Sequence, residues 1–179
     1  MLARLTIFIR CAVVIVFLIV VHEFGHYATG RVVGIPAQSI RIRIFTYPPH
    51  VELKDADGWV APWDYARYGT LARRYMKSRG DAILCISAGL MLQTVVFAGF
   101  VAILVAMNKP RPYLLPITVS VLAWPVWYVC LDWTLTHRRG VPAGDYSSLW
   151  MISPSASILV TSFVIGAHIG LVLYVNRRQ

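Results

Sequence analysis

Acidic side chains are scarce in this 179-residue chain: eight Asp and Glu stand against 17 Lys and Arg, and charged residues of both signs make up only 14% of it. An ordinary soluble domain carries about 25%. Cysteine is equally sparse. Cys11, Cys85 and Cys130 all fall inside apolar runs with no Cys-x-x-Cys pair, which excludes a disulfide framework and a thiolate metal site and leaves small buried hydrophobes as their expected role. There is no internal repeat, no low-complexity tract and no separate basic module. A nucleic-acid protein gathers its basic residues on one polar face. Here they flank apolar segments, so nucleic acid is not an expected partner and the net charge of +9 reads as membrane-flanking charge.

What the chain has in excess is apolar residues, 58% of the total. A water-soluble globule of this size cannot bury that much, so the expected covering is a lipid bilayer. Four runs, at about residues 5–28, 82–107, 114–133 and 155–175, each reach the roughly 20 residues that cross a hydrocarbon core as a helix. The expected fold is therefore an all-α polytopic membrane protein with about four transmembrane helices, one integral-membrane domain over residues 1–179. The first run, flanked by Arg4 and interrupted by Arg10, also has the outline of a signal peptide. No Ala-x-Ala site follows Val21, and the expectation is a retained helix in which Arg10 snorkels to the near interface.

The sizeable polar stretch is the loop at residues 30–81. Ile40, Ile42 and Ile44 alternate with Arg41 and Arg43, and Tyr47-Pro48-Pro49-His50 makes a turn before Val51-Glu52-Leu53-Lys54, which predicts a small β-hairpin between helices 1 and 2. Asp55-Ala56-Asp57-Gly58 reads as a second turn. Pro62 to Arg79 reads as a surface helix that sets Trp63, Tyr65, Tyr68 and Tyr75 in the headgroup layer. Nine Lys or Arg in this loop, with Arg138 and Arg139, outnumber the six on the opposite side. Basic residues concentrate in the cytoplasm. The expected location is thus a cell (inner) membrane, crossed several times, with the loop side cytoplasmic.

His22-Glu23-Phe24-Gly25-His26 fits His-Glu-x-x-His and sits on the last turns of the first apolar run. Residues four apart lie one above the other on a helix, so both imidazoles reach one Zn²⁺ with bonds of about 2.0–2.1 Å. Glu23 would then be general base on a zinc-activated water and return the proton to a leaving amine. Ionisable residues inside a membrane helix mark function by default. A plainer reading ends the helix at His22 and leaves these as interfacial polar residues.

A catalytic zinc takes three protein ligands and keeps a position open. On the same side of the membrane lies Asp145, within Gly140-Val141-Pro142-Ala143-Gly144-Asp145-Tyr146, where turn residues can dip the backbone into a protein-lined cavity. Asp145 is the preferred third ligand, with capping of Ser147 or Ser148 amides as its alternative role. Asp132 is the runner-up. His137, beside Arg138 and Arg139, reads as a solvated loop residue, and His168, deep in the fourth run, as a partner in a helix–helix hydrogen bond.

A His-Glu-x-x-His on a membrane helix, followed by a strand-bearing loop, a small-residue helix and a later Asp, resembles the site-2 protease family of intramembrane zinc metalloproteases, in a compact form without a PDZ-like domain. The resemblance spans about residues 17–149, and only HEFGH matches sharply. It implies one zinc held by His22, His26 and Asp145, with Glu23 as catalytic base. It also implies a membrane-spanning protein substrate, and gating by the 30–81 loop or by a regulatory membrane partner. The chain departs from the family at three points. Ser87-Ala88-Gly89-Leu90-Met91-Leu92-Gln93 keeps Gly89, lacks the family's Pro and has Gln93 near its Asn; Asp145 is followed by Tyr146 instead of Gly; and no Asn-x-x-Pro precedes it. Gln93 would either bond an extended substrate or join helices. The altered positions also suit a second class, a non-proteolytic metal-binding membrane scaffold or chaperone derived from that family. A haem protein ranks last, because ligands four apart on one helix suit one face of one metal.

Overall fold

The computed structural model describes residues 2–46 and 48–177, with side chains from residue 5 onward. Tyr47, placed by the sequence in a turn, and Arg178 lie outside the described residues, as does the side chain of Arg4. In chain order the elements are α1 (Leu2–Val32), β1 (Ile40–Arg43), β2 (His50–Lys54), β3 (Trp59–Val60), α2 (Tyr65–Tyr75), α3 (Arg79–Ala106), α4 (Arg111–Arg139), α5 (Asp145–Ile152) and α6 (Pro154–Arg177). Four of these helices, α1, α3, α4 and α6, are long and apolar enough to cross a membrane, as the four runs predict. Helices α1, α4 and α6 extend past both predicted limits and α3 past its first, because polar and basic residues continue the helix beyond the hydrocarbon, as His137 to Arg139 do on α4.

Helix α3 is the centre of the bundle. Half of its apolar stretch is buried inside the protein, against less than a third for the other three, and it packs on both α1 and α6. Its start is set locally: the Ser78 hydroxyl accepts from the Asp81 amide at 3.0 Å and the Asp81 carboxylate from the Ser78 amide at 2.9 Å, a reciprocal cap that satisfies two orphan donors. Small residues let α1 approach. A Cβ on Gly25 would lie 2.6 Å from the Ala88 carbonyl oxygen, so the two backbones touch there as close membrane helix pairs do.

Two apolar clusters bracket the middle of the bundle. Cys11, Leu18, Phe97, Val101, Leu114 and Val121 belong to a core at the end away from the polar loop, while Ile35, Ile40, Val51, Leu53, Val60 and Leu71 form another between the sheet, α1 and α2. Arg10 lies at the far end with its guanidinium 4.6 Å from the Tyr113 ring centre, a cation–π contact that replaces a purely aqueous end point for the snorkelling side chain. Cys11 and Cys85 are buried as expected, but Cys130 is exposed on the outer face of α4, where lipid covers an apolar side chain as well as protein does.

The loop contains more than the predicted hairpin. Strands β1 and β2 pair antiparallel with Ile40 opposite Leu53 and Ile42 opposite Val51, and β3 adds to the far edge of β2, giving the order β1-β2-β3. The Asp55 carboxylate accepts from the amides of Asp57 and Gly58 at 2.9 and 3.0 Å, and Gly58 takes φ +136°, a backbone setting open to glycine. That turn delivers β3, which at two residues is too short to show a period. The predicted surface helix is shorter than residues 62–79: Asp64 caps its start, and the Ser78–Asp81 cap begins a new helix after Tyr75. Trp63 and Tyr65 face outward, but Tyr68 and Tyr75 pack against the core under the sheet, so only part of the expected aromatic belt forms.

Candidate metal centre

The last third of α1 carries the site. His22 and His26 project from one face one turn apart, their Nε2 atoms 3.0 Å from each other. Asp145, the first residue of α5, brings Oδ2 to 2.8 Å from His22 Nε2 and 3.4 Å from His26 Nε2. These three are the His, Cys, Asp or Glu side chains that meet as a potential metal-binding group among the described residues.

The other nitrogen of each ring settles its tautomer. His26 Nδ1 donates to the Cys85 carbonyl at 2.8 Å, and His22 Nδ1 donates to Gln93 Oε1 at 3.1 Å, so in both rings the proton sits on Nδ1 and Nε2 presents a lone pair. Gln93 and the Cys85 carbonyl are thereby the outer supports that fix ring orientation. Gly89 of α3 forms the floor: a Cβ there would lie 2.5 Å from His26 Nε2 and 2.8 Å from His22 Nε2.

Three electron-pair donors thus converge, and the Asp145 oxygen is buried with no hydrogen-bond partner. A proton shared among them satisfies one pair at a time, whereas a cation satisfies all three. Around a tetrahedral ion with bonds of about 2.0–2.1 Å, donor atoms stand about 3.3 Å apart. The observed 2.8, 3.0 and 3.4 Å fall near that edge, and the His₂-carboxylate set fits zinc's donor preference.

Glu23 is buried beside the donors, and the ionisable groups acting on it most strongly are His22, His26, Asp145 and His50. It is not one of the three converging donors. Tyr68 of α2 borders the same space: burial first, then the carboxylates of Glu23 and Asp145, push its phenol up, so it stays neutral.

Asp132 is not a ligand. Its oxygens accept from the Ser147 amide at 2.9 Å, the Ser147 hydroxyl at 2.5 Å and the Thr136 hydroxyl at 3.2 Å. It is the side chain that caps α5, the task considered for Asp145, and it points the helix so that Asp145 faces the histidines. The amide of Ser148 bonds instead to the Gly144 carbonyl at 3.0 Å. His137 is exposed and outside the site. His168 makes no interhelical hydrogen bond through Nδ1, which donates to Val164 one turn earlier at 2.7 Å; its contact across helices is a stack on Phe97 with centroids 5.5 Å apart.

The supports were the harder part to find from sequence. Gln93 was visible as a polar residue in an apolar run, but a backbone carbonyl such as that of Cys85 leaves no residue-type signal. Gly25 and Gly89 signalled close helix packing without naming the imidazoles as what they accommodate. No family model matches the chain, and neither a curated protein nor a solved structure is similar to it.

Proposed function

We propose that the protein is an intramembrane zinc endopeptidase that hydrolyses peptide bonds of membrane-spanning protein substrates. The observation that carries this reading is the meeting of His22 Nε2, His26 Nε2 and Asp145 Oδ2 within 2.8–3.4 Å, with the buried carboxylate of Glu23 beside them and outside the donor set. Zinc held by the three donors would supply Lewis acidity to a peptide carbonyl and to a water. Glu23 takes a proton from the attacking water and gives it to the leaving nitrogen. Gln93 and the Cys85 carbonyl hold the imidazoles so that their lone pairs stay aimed at one point.

Depth supports the intramembrane part of the reading. His26 lies six residues before the end of α1 at Val32, about 9 Å along the helix at 1.5 Å per residue. A substrate helix has its carbonyls locked in hydrogen bonds and has to unwind before one can be attacked. Strand β1 is an edge of the sheet, and an unwound segment can pair with it. The excess of basic residues on the loop side supports a cell (inner) membrane with the site opening to the cytoplasm.

The test is elemental analysis together with turnover of self-quenched fluorescent casein by the purified full chain in detergent. Wild type should hold one zinc per chain and cleave; Glu23→Gln should keep the zinc and lose cleavage; Asp145→Ala should lose the zinc. Cleavage by Glu23→Gln at the wild-type rate, or a wild type without zinc, would overturn the reading.

A further inference from the structure

Tyr128 leaves hydrogen-bonding capacity unused beside the site. It lies on α4, one turn before Asp132, and is half-buried. Its oxygen accepts from the backbone amide of Asp145 at 3.3 Å, while its own hydrogen has no acceptor among the described residues. The ring stands perpendicular to that of His22, with centroids 6.4 Å apart, and the ring of Tyr146 backs it at 5.7 Å. Gly144 is what permits this position: a Cβ there would lie 2.8 Å from the phenol oxygen and 2.9 Å from the Asp132 carboxylate. A free O–H donor is therefore tethered to the backbone of the residue whose side chain forms the third corner of the donor cluster.

Besides Tyr128, the neutral phenol of Tyr68 borders the site, but Tyr128 is the one bonded to the backbone of Asp145. Among the described residues, the strongest ionisable influences on Glu23 and Asp145 include no Lys or Arg. Peptide hydrolysis builds charge on the carbonyl oxygen, and a preorganised donor aimed there is worth a large part of the rate.

We propose that Tyr128 is a catalytic residue that donates a hydrogen bond to the carbonyl oxygen of the scissile peptide as charge develops on it. This rests on the endopeptidase reading. The water oxygen bonds to the carbonyl carbon as its proton passes to Glu23, and the carbonyl electron pair moves onto oxygen, where the Tyr128 O–H meets it. When that pair returns, the carbon–nitrogen bond breaks and Glu23 delivers its proton to the departing amine. The phenol keeps its own proton throughout, so peptide and water become acid and amine with nothing further consumed.

The experiment compares wild type, Tyr128→Phe and Tyr146→Phe as purified full chains, by zinc content and by kcat and KM on the casein probe. Tyr128→Phe keeps the ring and removes only the hydroxyl; it should retain one zinc, lose about 10²–10³-fold in kcat and change KM less than twofold. Tyr146→Phe, which removes a buried hydroxyl with no partner, should stay within twofold of wild type. Tyr128→Phe turning over within threefold of wild type would overturn the role of Tyr128 and leave the endopeptidase reading standing. Loss of zinc in Tyr128→Phe would overturn it too, by making the phenol a structural prop for Asp145, and so would an equal loss in Tyr146→Phe. A zinc-loaded wild type that cleaves nothing would remove the reaction and the donor's role together.

Discussion

Replacing Gly89 with Ala gives a test in which two physical effects have opposite signs. Gly89 lies inside α3, where alanine is favoured over glycine by about 1 kcal/mol on helix propensity. Were the position merely a helix interior, the substitution would stabilise the protein and leave metal binding untouched. The added Cβ, however, would stand 2.5 Å from His26 Nε2 and 2.8 Å from His22 Nε2, where ordinary contact begins at 3.4 Å. The imidazoles would have to retreat by about 0.6–0.9 Å, the differences between those distances, while metal–donor distances tolerate only about 0.2 Å. Neither ring can swing aside freely, because the Cys85 carbonyl and Gln93 hold their Nδ1 atoms. Helix α1 cannot simply withdraw without opening its backbone contact at Gly25. The expected result is a fall in zinc affinity on the order of 10²-fold, the upper range for disturbing the supports of a metal ligand. A competition titration against a chromophoric chelator measures it. Zinc affinity within threefold of wild type would refute the placement of the two imidazoles over Gly89.

Removing the other support should act more gently. Gln93→Leu deletes the acceptor for His22 Nδ1 in a buried position and should weaken zinc binding about 10–100-fold in the same titration; an unchanged affinity would mean that His22 is oriented by something else. In the loop, burial raises the Glu52 carboxyl, but hydrogen bonds from Arg41 and His50 and then their charges outweigh it and hold the group below its usual range. Its pairing therefore stabilises the sheet at pH values above the ordinary carboxylate pKa, and that contribution is lost as pH falls through the lowered folded value. Thermal unfolding in detergent should accordingly drop more steeply from about pH 5 to pH 3 in wild type than in Glu52→Gln; parallel curves would show that the Arg41–Glu52–His50 cluster contributes nothing to stability.

The parts of this protein that could be read along the chain are those whose cause is local. Four apolar runs become four long helices because length and hydropathy alone decide whether a segment can satisfy its backbone in lipid. The alternation around Ile40 becomes a strand, and Asp55 to Gly58 a turn, for equally short-range reasons. Residues whose role depends on a distant neighbour carry no such local signal. Tyr68 and Tyr75 look interfacial until the sheet beneath them is placed, and His168 looks like a helix-joining residue until Phe97 of α3 supplies a ring for it to stack on. Strand β3 exists only because β2 offers it an edge.

The same division runs through the metal centre. The sequence by itself determined the geometry of the pair: on any helix, His22 and His26 four residues apart share a face, and Glu23 falls one residue from the first of them. It preferred Asp145 over Asp132 as the third donor, by membrane side and by the turn residues around Asp145, without a contact that excludes Asp132. The tertiary structure decided between them through a contact no spacing encodes: Ser147, two residues past Asp145, occupies both oxygens of Asp132. A capped helix start consumes one carboxylate and turns the other toward the imidazoles, so which carboxylate meets them follows from where α5 docks against α4.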